Sequence, residues 1–117
     1  MRHHVGWNYY LKKTKGLKKL SPLRKFAEGQ DCTIQIHPYC NGDPDTTVLA
    51  HAPSPEKGWS IKSPDHWGAH SCSDCHDIVD GRRSVDLPKS EILACLYRGI
   101  FRTQERLIDA ELMNINN

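Results

Sequence analysis

Four of the five cysteines have the spacing of ligands for a single metal ion. Seven residues separate Cys32 from Cys40, and two separate Cys72 from Cys75. Four thiolates satisfy the tetrahedral preference of zinc, and the short second spacing lets two sulfurs turn toward one point at the start of a helix, where thiolate charge is favoured. The sequence therefore predicts one structural zinc ion bound by all four cysteines.

Two other interpretations of these cysteines stay open. A disulfide is one, although thiols remain reduced in the cytosol, where we expect this chain because no secretion signal and no apolar run long enough for a membrane span are present. A redox-active C-x-x-C pair is the other, although no thioredoxin-like crossover pattern accompanies it. The fifth cysteine, Cys95, lies in the apolar pattern ILACLYRGIF and is expected to be part of the core.

The histidines near the cysteines are the next candidates for chemistry. His51 ends the apolar segment VLAH, and His76 directly follows Cys75, so a zinc site would hold both imidazoles rigidly. They could instead pack beside the zinc, or one of them could be a zinc ligand. His66 and His70 are weaker candidates, and either could face solvent.

Basic residues are concentrated at the N-terminus. Residues 1–30 hold eight lysines and arginines against one acid, whereas the rest of the chain holds eight against thirteen acids. Such an arm suits a polyanion, because neutralising phosphates releases counterions, and its aromatic residues could stack on bases. The predicted partner is DNA, with these candidate contacts: Lys12, Lys13, Lys15, Lys18, Lys19, Arg24 and Lys25. A solvated tail or a segment docked on another surface is the alternative.

Short elements must position these residues. Ser21 and Pro22 predict the start of a helix over 22–29. The segment CTIQIHPYC predicts a brief strand turning at Pro38, followed by a turn at NGDPD, a second strand at TTVLAHA and a loop over 53–68. A hairpin carrying one cysteine pair and a helix start carrying the other form the treble-clef arrangement, so the predicted class is α+β.

Two helices complete the prediction. One begins near Ser73 or Asp74 and stops at Gly81. The longer one covers EILACLYRGIFRTQERLIDAELM, with Ser90 or Asp86 as its cap, and its Gly99 allows a bend or a close approach. One domain over 21–117 therefore follows an arm over 1–20.

The motifs VLAH, PDHWGAHSC and SDCHDIVD, in this order, resemble those of the HNH endonucleases of the treble-clef or ββα-metal type. Within that superfamily they are similar to a small prophage-encoded nuclease family typified by YbcO. The resemblance covers roughly residues 21–107 and leaves the basic arm outside. It implies phosphodiester hydrolysis in DNA, assisted by a divalent cation such as Mg, Mn or Ni, in the cytosol of a bacterial host.

The resemblance also implies roles for individual residues. His51 would be the general base and His76 a ligand of the catalytic cation. The family's middle Asn, which orients the base, falls where this chain has Asp65. Ala50 stands where the superfamily commonly has a further ligand, and Asp80, one helical turn after His76, is the expected replacement. A zinc-stabilised DNA-binding or adaptor module without catalytic activity is the alternative, and the oligomeric state is left open.

Overall fold

The computed structural model describes residues 21–54 and 58–114, so the predicted arm lies outside the described residues. Helix α1 covers Pro22–Ala27. Ser21 caps it, because its side-chain oxygen accepts a hydrogen bond from the backbone N–H of Arg24 at 3.3 Å. Gly29 follows the helix with a φ of +83°, a conformation that glycine adopts without strain. The predicted first helix is confirmed and is two residues shorter at its end.

The segment 31–40, here called the cysteine loop, is not a strand, so that prediction is wrong. Its N–H groups bond elsewhere: Thr33 donates to the His70 carbonyl at 2.8 Å, and Ile36 donates to the Cys75 sulfur at 3.3 Å. Ile34 and Ile36 are nevertheless buried in the core. The alternation of apolar residues therefore reports burial on one side of a loop, while the predicted turn at 37–39 is present.

Two antiparallel strands lie at the centre of the domain. Strand β1 covers Val48–His51 and pairs with β4, Gly68–Ser71, so that His51 lies opposite Gly68. The expected loop over 53–68 is partly wrong, because Pro53–Ser54 (β2) and Gly58–Lys62 (β3) form a second two-stranded sheet and Asp65–Trp67 forms a 3-10 turn. The segment between β1 and β4 therefore brings the chain back beside the end of β1, where Gly68 lies opposite His51.

Helix α2 covers Ser73–Val79 and begins directly after β4. Cys72 is its N-cap, and its sulfur accepts a hydrogen bond from the Cys75 N–H at 3.4 Å. The helix ends in a Schellman turn, in which Gly81, with a φ of +79°, donates to the Ile78 carbonyl and Arg82 donates to the Asp77 carbonyl. The predicted start and stop of this helix are confirmed.

Helix α3, Lys89–Asp109, is the longest element and packs against β4. Its N-cap position is Pro88, so neither Ser90 nor Asp86 caps it as expected. Gly99 is buried where α3 meets the core, and a Cβ there would lie 2.9 Å from Cγ1 of Ile34. Of the two possibilities for this glycine, the close approach applies.

Polar contacts join α3 to the cysteine loop. The hydroxyls of Thr33 and Thr103 lie 3.0 Å apart, and the hydroxyl of Thr103 accepts from the His70 N–H at 2.9 Å. Three arginines along α3 donate to carbonyls of the loop: Arg98 to Ile34 at 2.8 Å, Arg102 to Thr33 at 3.3 Å and Arg106 to Asp31 at 2.8 Å. The loop is therefore fixed by the helix together with the hydrogen bond from Thr33 to His70 of β4.

Two expectations for single residues are resolved by burial. His70 is fully buried and does not face solvent, and the Arg106 guanidinium donates to its Nδ1 at 3.0 Å. Burial, reinforced by the charge of Arg106, lowers the pKa of His70 to about 4, so its ring is neutral near pH 7. Cys95 is partly buried and packs against the core. Over 21–54 and 58–114, no helix combines the length and the apolar character needed to cross a bilayer.

Candidate active site and metal centre

The four predicted cysteine ligands converge. Their four sulfur atoms all lie within 4.8 Å of one another: Cys32, Cys40, Cys72 and Cys75. The sulfurs of Cys40 and Cys72 are 3.8 Å apart. Zinc–sulfur bonds of about 2.3 Å in a tetrahedron place sulfurs about 3.8 Å from one another. The cluster could therefore hold a metal ion such as zinc. All five cysteines are free thiols, so the disulfide interpretation is wrong.

The surroundings of these sulfurs suit thiolates bound to a cation. Backbone N–H groups of Gln35 and Ile36 point at the sulfurs of Cys32 and Cys75, at 3.5 and 3.3 Å. A hydrogen bond from the Cys75 thiol lowers the pKa of Cys32 to about 4 and raises the pKa of Cys75 itself, while burial raises that of Cys40 to about 11. Because one ionised thiol opposes ionisation of its neighbours, a divalent cation is what allows all four to be thiolates together.

His51 and Asp65 form a close pair at the end of β1. Nε2 of His51 lies 2.6 Å from Oδ1 of Asp65, and the histidine side chain is only 12% exposed. An ionised carboxylate can only accept, so in the neutral ring Nε2 carries the proton and Nδ1 has the lone pair. The pairing fixes the ring and its tautomer.

Two residues of the α1 region hold Asp65 in turn. The hydroxyl of Ser21 donates to Oδ2 at 2.5 Å, and Nε of Arg24 lies 3.3 Å from Oδ1. Burial alone would raise the pKa of Asp65, but the hydrogen bonds from Ser21 and His51 and the charge of Arg24 outweigh it. The pKa therefore lies below its ordinary value of 3.8, and the carboxylate is ionised near neutral pH.

His76 and Asp80 form a second pair, one turn apart on α2 and its cap. Nε2 of His76 lies 3.2 Å from Oδ2 of Asp80, and both side chains are mostly buried. Imidazole nitrogen and carboxylate oxygen are both ligands for divalent ions, and Mg²⁺ commonly uses few protein ligands together with water and phosphate oxygens. The donor pair fits a cation of this kind. Ala50 is buried and offers no ligand.

His51, His76 and Asp80 line one cleft of about 570 Å³, whereas Asp65 is not part of its wall. Its wall combines cationic, imidazole and carboxylate groups with two apolar residues of β1: Arg24, Glu28, Val48, Leu49, His51, Ser63, His76 and Asp80. A cleft with a proton acceptor, a cation-binding pair and an arginine contains the parts needed to bind and hydrolyse a phosphodiester.

Several predicted site residues lie elsewhere. Lys25 is exposed on α1 and is absent from the cleft wall, and the predicted DNA-contacting lysines of the arm lie outside the described residues. Sequence reasoning did not connect Ser21 with Asp65 or Arg82 with α2. Arg82 donates to Oδ2 of Asp80 at 2.8 Å and to Asp77, and its NH2 group lies 3.4 Å from Nδ1 of His76. The sequence feature that could have indicated Arg82 is its position directly after Gly81, where the helix was predicted to stop.

These features define a small α+β protein in which a four-cysteine cluster capable of holding a metal carries a histidine into a polar cleft. The chain belongs to the YbcO family: the family model described as "Putative nuclease YbcO" matches residues 21–111. The protein "Putative nuclease YbcO" of Escherichia coli strain K12 is 38% identical over 86 residues, which are 73% of this chain and 88% of the relative. "Putative nuclease ybcO" of Enterobacteria phage 82 matches equally well.

A solved structure shares the fold. It is described as a "putative bacteriophage protein" from Escherichia coli K-12 MG1655 and is 33% identical to this chain. The match has a TM-score of 0.64 and covers 77% of this chain and all of the other. The basic arm precedes the region that the family model matches.

Proposed function

We propose that this protein is a DNA endonuclease of the HNH type, with a treble-clef, ββα-metal core and a requirement for a divalent cation. The observation that carries the proposal is that His51, held by Asp65, and the His76–Asp80 pair line the same cleft. The description of the family as nucleases supports the same chemistry.

In the proposed reaction, His51 is the general base. Nδ1 takes a proton from the attacking water, and Asp65 stabilises the resulting imidazolium through Nε2–H. The pair resembles the histidine and carboxylate of a hydrolytic triad, in which the carboxylate orients the ring without itself becoming protonated.

His76 and Asp80 would hold the catalytic cation, such as Mg, Mn or Ni. When bound, such an ion supplies positive charge to stabilise the charge that develops on the phosphate and on the leaving oxygen. Arg24 lines the same cleft and would contact a phosphate there. Its side chain is 51% exposed, so exchanging its ion pair with Asp65 for one with a phosphate costs little.

The proposed zinc ion is structural, and the four cysteines would hold it at the start of α2. Because His76 follows Cys75 directly, the ligands of zinc also fix the backbone that carries a cleft residue. The basic residues of the arm would add sequence-independent contacts to the DNA backbone.

The first test is His51→Ala. Loss of a general base is expected to slow cleavage of plasmid DNA by about 100- to 10,000-fold, with zinc content and melting temperature preserved. His37→Ala is the matched control, because His37 is an exposed histidine outside the cleft wall. Full cleavage by His51→Ala protein would overturn the assignment of the base.

A second test separates the base from the cation pair. His76→Ala should raise the Mn²⁺ concentration needed for half-maximal cleavage, because a ligand is lost, whereas His51→Ala should leave it unchanged. Asp80→Ala should behave as a milder version of His76→Ala. Equal effects of all three variants on the rate alone would contradict the division of roles.

A zinc-stabilised DNA-binding module without catalytic activity is the second candidate. Ala50 favours it, because among the described residues no third histidine or acid joins His76 and Asp80 in a metal-binding group. Wild-type protein that binds DNA, yet cleaves neither linear nor branched DNA with Mg, Mn, Ni or Zn, would establish this candidate instead.

A further inference from the structure

Arg82 occupies a position that the fold builds next to the His76–Asp80 pair. The Schellman turn at the end of α2 reverses the chain, and the N–H of Arg82 donates to the Asp77 carbonyl at 2.8 Å. This turn brings the residue after Gly81 back over the last turn of the helix. Arg82 therefore lies against His76 and Asp80 because of how the helix terminates.

The guanidinium engages both members of the pair. NH1 donates to Oδ2 of Asp80 at 2.8 Å, the same oxygen that faces Nε2 of His76 at 3.2 Å. NH2 lies 3.4 Å from Nδ1 of His76. Because arginine can only donate, Nδ1 is the acceptor of that contact and Nε2 carries the proton toward Asp80. The groups that would bind a cation are thus held by a positive charge of the chain itself.

A second carboxylate keeps Arg82 in place. Nε and NH2 donate to Oδ1 of Asp77 at 3.0 and 2.9 Å, while the arginine side chain remains 54% exposed. The guanidinium is therefore oriented by Asp77 on one side but can leave Asp80 without crossing any packed region. Asp77 would retain it after such a movement.

From this geometry we propose that the Arg82 guanidinium competes with a divalent ion for the side chains of His76 and Asp80. In this way Arg82 sets the affinity of the pair for the ion. The inference rests on the proposed function for the identity of the pair. A divalent ion that binds Asp80 displaces NH1, and one that binds His76 through Nε2 requires the ring proton to move to Nδ1, which can then no longer accept from NH2. Removing the guanidinium should consequently strengthen divalent-ion binding, whereas removing a residue that merely orients Asp80 should weaken it.

The neighbouring Arg83 provides a matched control. It pairs with Asp74 at 2.8 Å, lies over the ring of Tyr39 and is similarly exposed, at 42%. Arg83→Gln changes the net charge by the same amount as Arg82→Gln, within one residue. A difference between the two variants therefore reports the contacts with His76 and Asp80 and excludes the general electrostatic effect of losing one positive charge.

The experiment measures Mn²⁺ binding to the zinc-loaded full chain without DNA, by titration of the free Mn²⁺ signal in electron paramagnetic resonance. Arg82→Gln is expected to lower the Kd about two- to fivefold relative to Arg83→Gln, the range expected for losing one exposed ion pair as competitor. Arg82→Lys should give an intermediate Kd. Adding Asp80→Asn to Arg82→Gln should abolish the gain.

A Kd for Arg82→Gln equal to or above that of Arg83→Gln would overturn the inference, as would a gain that survives Asp80→Asn. Because DNA is absent, the result is separate from the proposed nuclease activity. Tighter Mn²⁺ binding by Arg82→Gln in a protein that cleaves no DNA would support the role of Arg82 and reject the endonuclease.

Discussion

At His51, the neighbouring carboxylate determines which ring nitrogen is available for chemistry. Asp65 lies 2.6 Å from Nε2, so Nδ1 is the atom left to take a proton. An asparagine in the same place could also accept from Nε2–H through its side-chain oxygen. Under the proposed HNH assignment, whose motif carries Asn at this point, the acceptor oxygen would therefore matter more than the negative charge.

This reasoning predicts different outcomes for two substitutions of Asp65. Asp65→Asn keeps an acceptor for His51 and a partner for Ser21, so its cleavage rate should stay within about tenfold of wild type. Asp65→Ala leaves the His51 ring without an orienting partner, so its cleavage rate should fall about 100-fold. Steady-state cleavage of a short labelled duplex measures both. Equal losses in the two variants would show that the charge, rather than the acceptor, is what His51 requires.

The depressed pKa of Asp65 also predicts how its contribution to stability depends on pH. A carboxylate with a lowered folded-state pKa contributes stability above its unfolded value of 3.8, and this contribution is lost as the pH falls through the folded-state pKa. The Asp65 carboxylate stays ionised between about pH 5 and 8. Its titration should therefore reduce the difference in melting temperature between wild type and Asp65→Asn only when the pH falls below about 3.8, and a difference that shrinks as pH falls from 8 to 5 would contradict the assignment.

Individual site residues were predictable where type and spacing reflect local geometry. Cys72 and Cys75 have the spacing of a helix start, and His76 and Asp80 have the spacing of one helical turn. In the structure the four cysteine sulfurs lie close together, and so do the side chains of His76 and Asp80. Ser21 was recognised only as a cap, because its second bond reaches Asp65, 44 residues away. Arg82 was missed because the predicted stop at Gly81 does not say which side chain the turn brings back against the helix.

Among the elements, α3 does more than cover the sheet. Arg98, Arg102 and Arg106 recur every four residues, and each donates to a carbonyl of the cysteine loop. This replaces the strand pairing that the sequence predicted there. The sequence could not reveal it, because backbone carbonyls carry no residue identity and the contacts span 64 to 75 positions. Helices with clear caps and stop signals were predictable, since those signals are local.

At Gly99, α3 lies close enough to the cysteine loop that a side chain would not fit. In Gly99→Ala the new Cβ would meet Ile34 at 2.9 Å and the Ala69 Cβ and Thr33 hydroxyl at 3.1 Å. Overpacking of this kind costs about 1–3 kcal/mol, against a helix-propensity gain of about 1 kcal/mol. We expect a net loss of about 1 kcal/mol in the free energy of unfolding, measured by urea denaturation.

Ala94→Gly, at an exposed position of α3, is the control for helix propensity alone. It should cost about 1 kcal/mol through propensity without any steric contact. If Gly99→Ala proves more stable than wild type, the helix can move away from the loop, and the contact is not the constraint described above.

For the molecule as a whole, the proposed zinc site supplies stability that the small core lacks. Structural zinc contributes about 10 kcal/mol or more, comparable to the entire net stability of an ordinary domain. Cys72→Ser should therefore bind no zinc and lose the cooperative unfolding transition, as followed by circular dichroism and metal analysis. Cys95→Ser, which changes a cysteine outside the cluster, should keep both. A folded, zinc-free Cys72→Ser protein would contradict the prediction.

Deletion of residues 1–20 tests whether the basic arm contributes to DNA binding by the whole protein. The domain should remain folded, while DNA affinity and its dependence on salt both decrease, because fewer phosphates are neutralised. Fluorescence anisotropy at several salt concentrations measures this. A full-length variant with glutamine at the five arm lysines, Lys12, Lys13, Lys15, Lys18 and Lys19, should reproduce the effect if charge is responsible. Unchanged salt dependence in both would make the arm a tail or a segment for contacts other than DNA.

The three arginines of α3 also impose an order on biosynthesis. The cysteine loop is translated before Arg106, which lies 75 positions after Asp31 and donates to both the Asp31 carbonyl and the His70 ring. A nascent chain that lacks this turn leaves the buried His70 and the loop carbonyls without their donor. We therefore expect the loop to mature only after α3 has emerged, so that arrival of Arg106, rather than arrival of the last metal ligand, marks when the domain becomes competent.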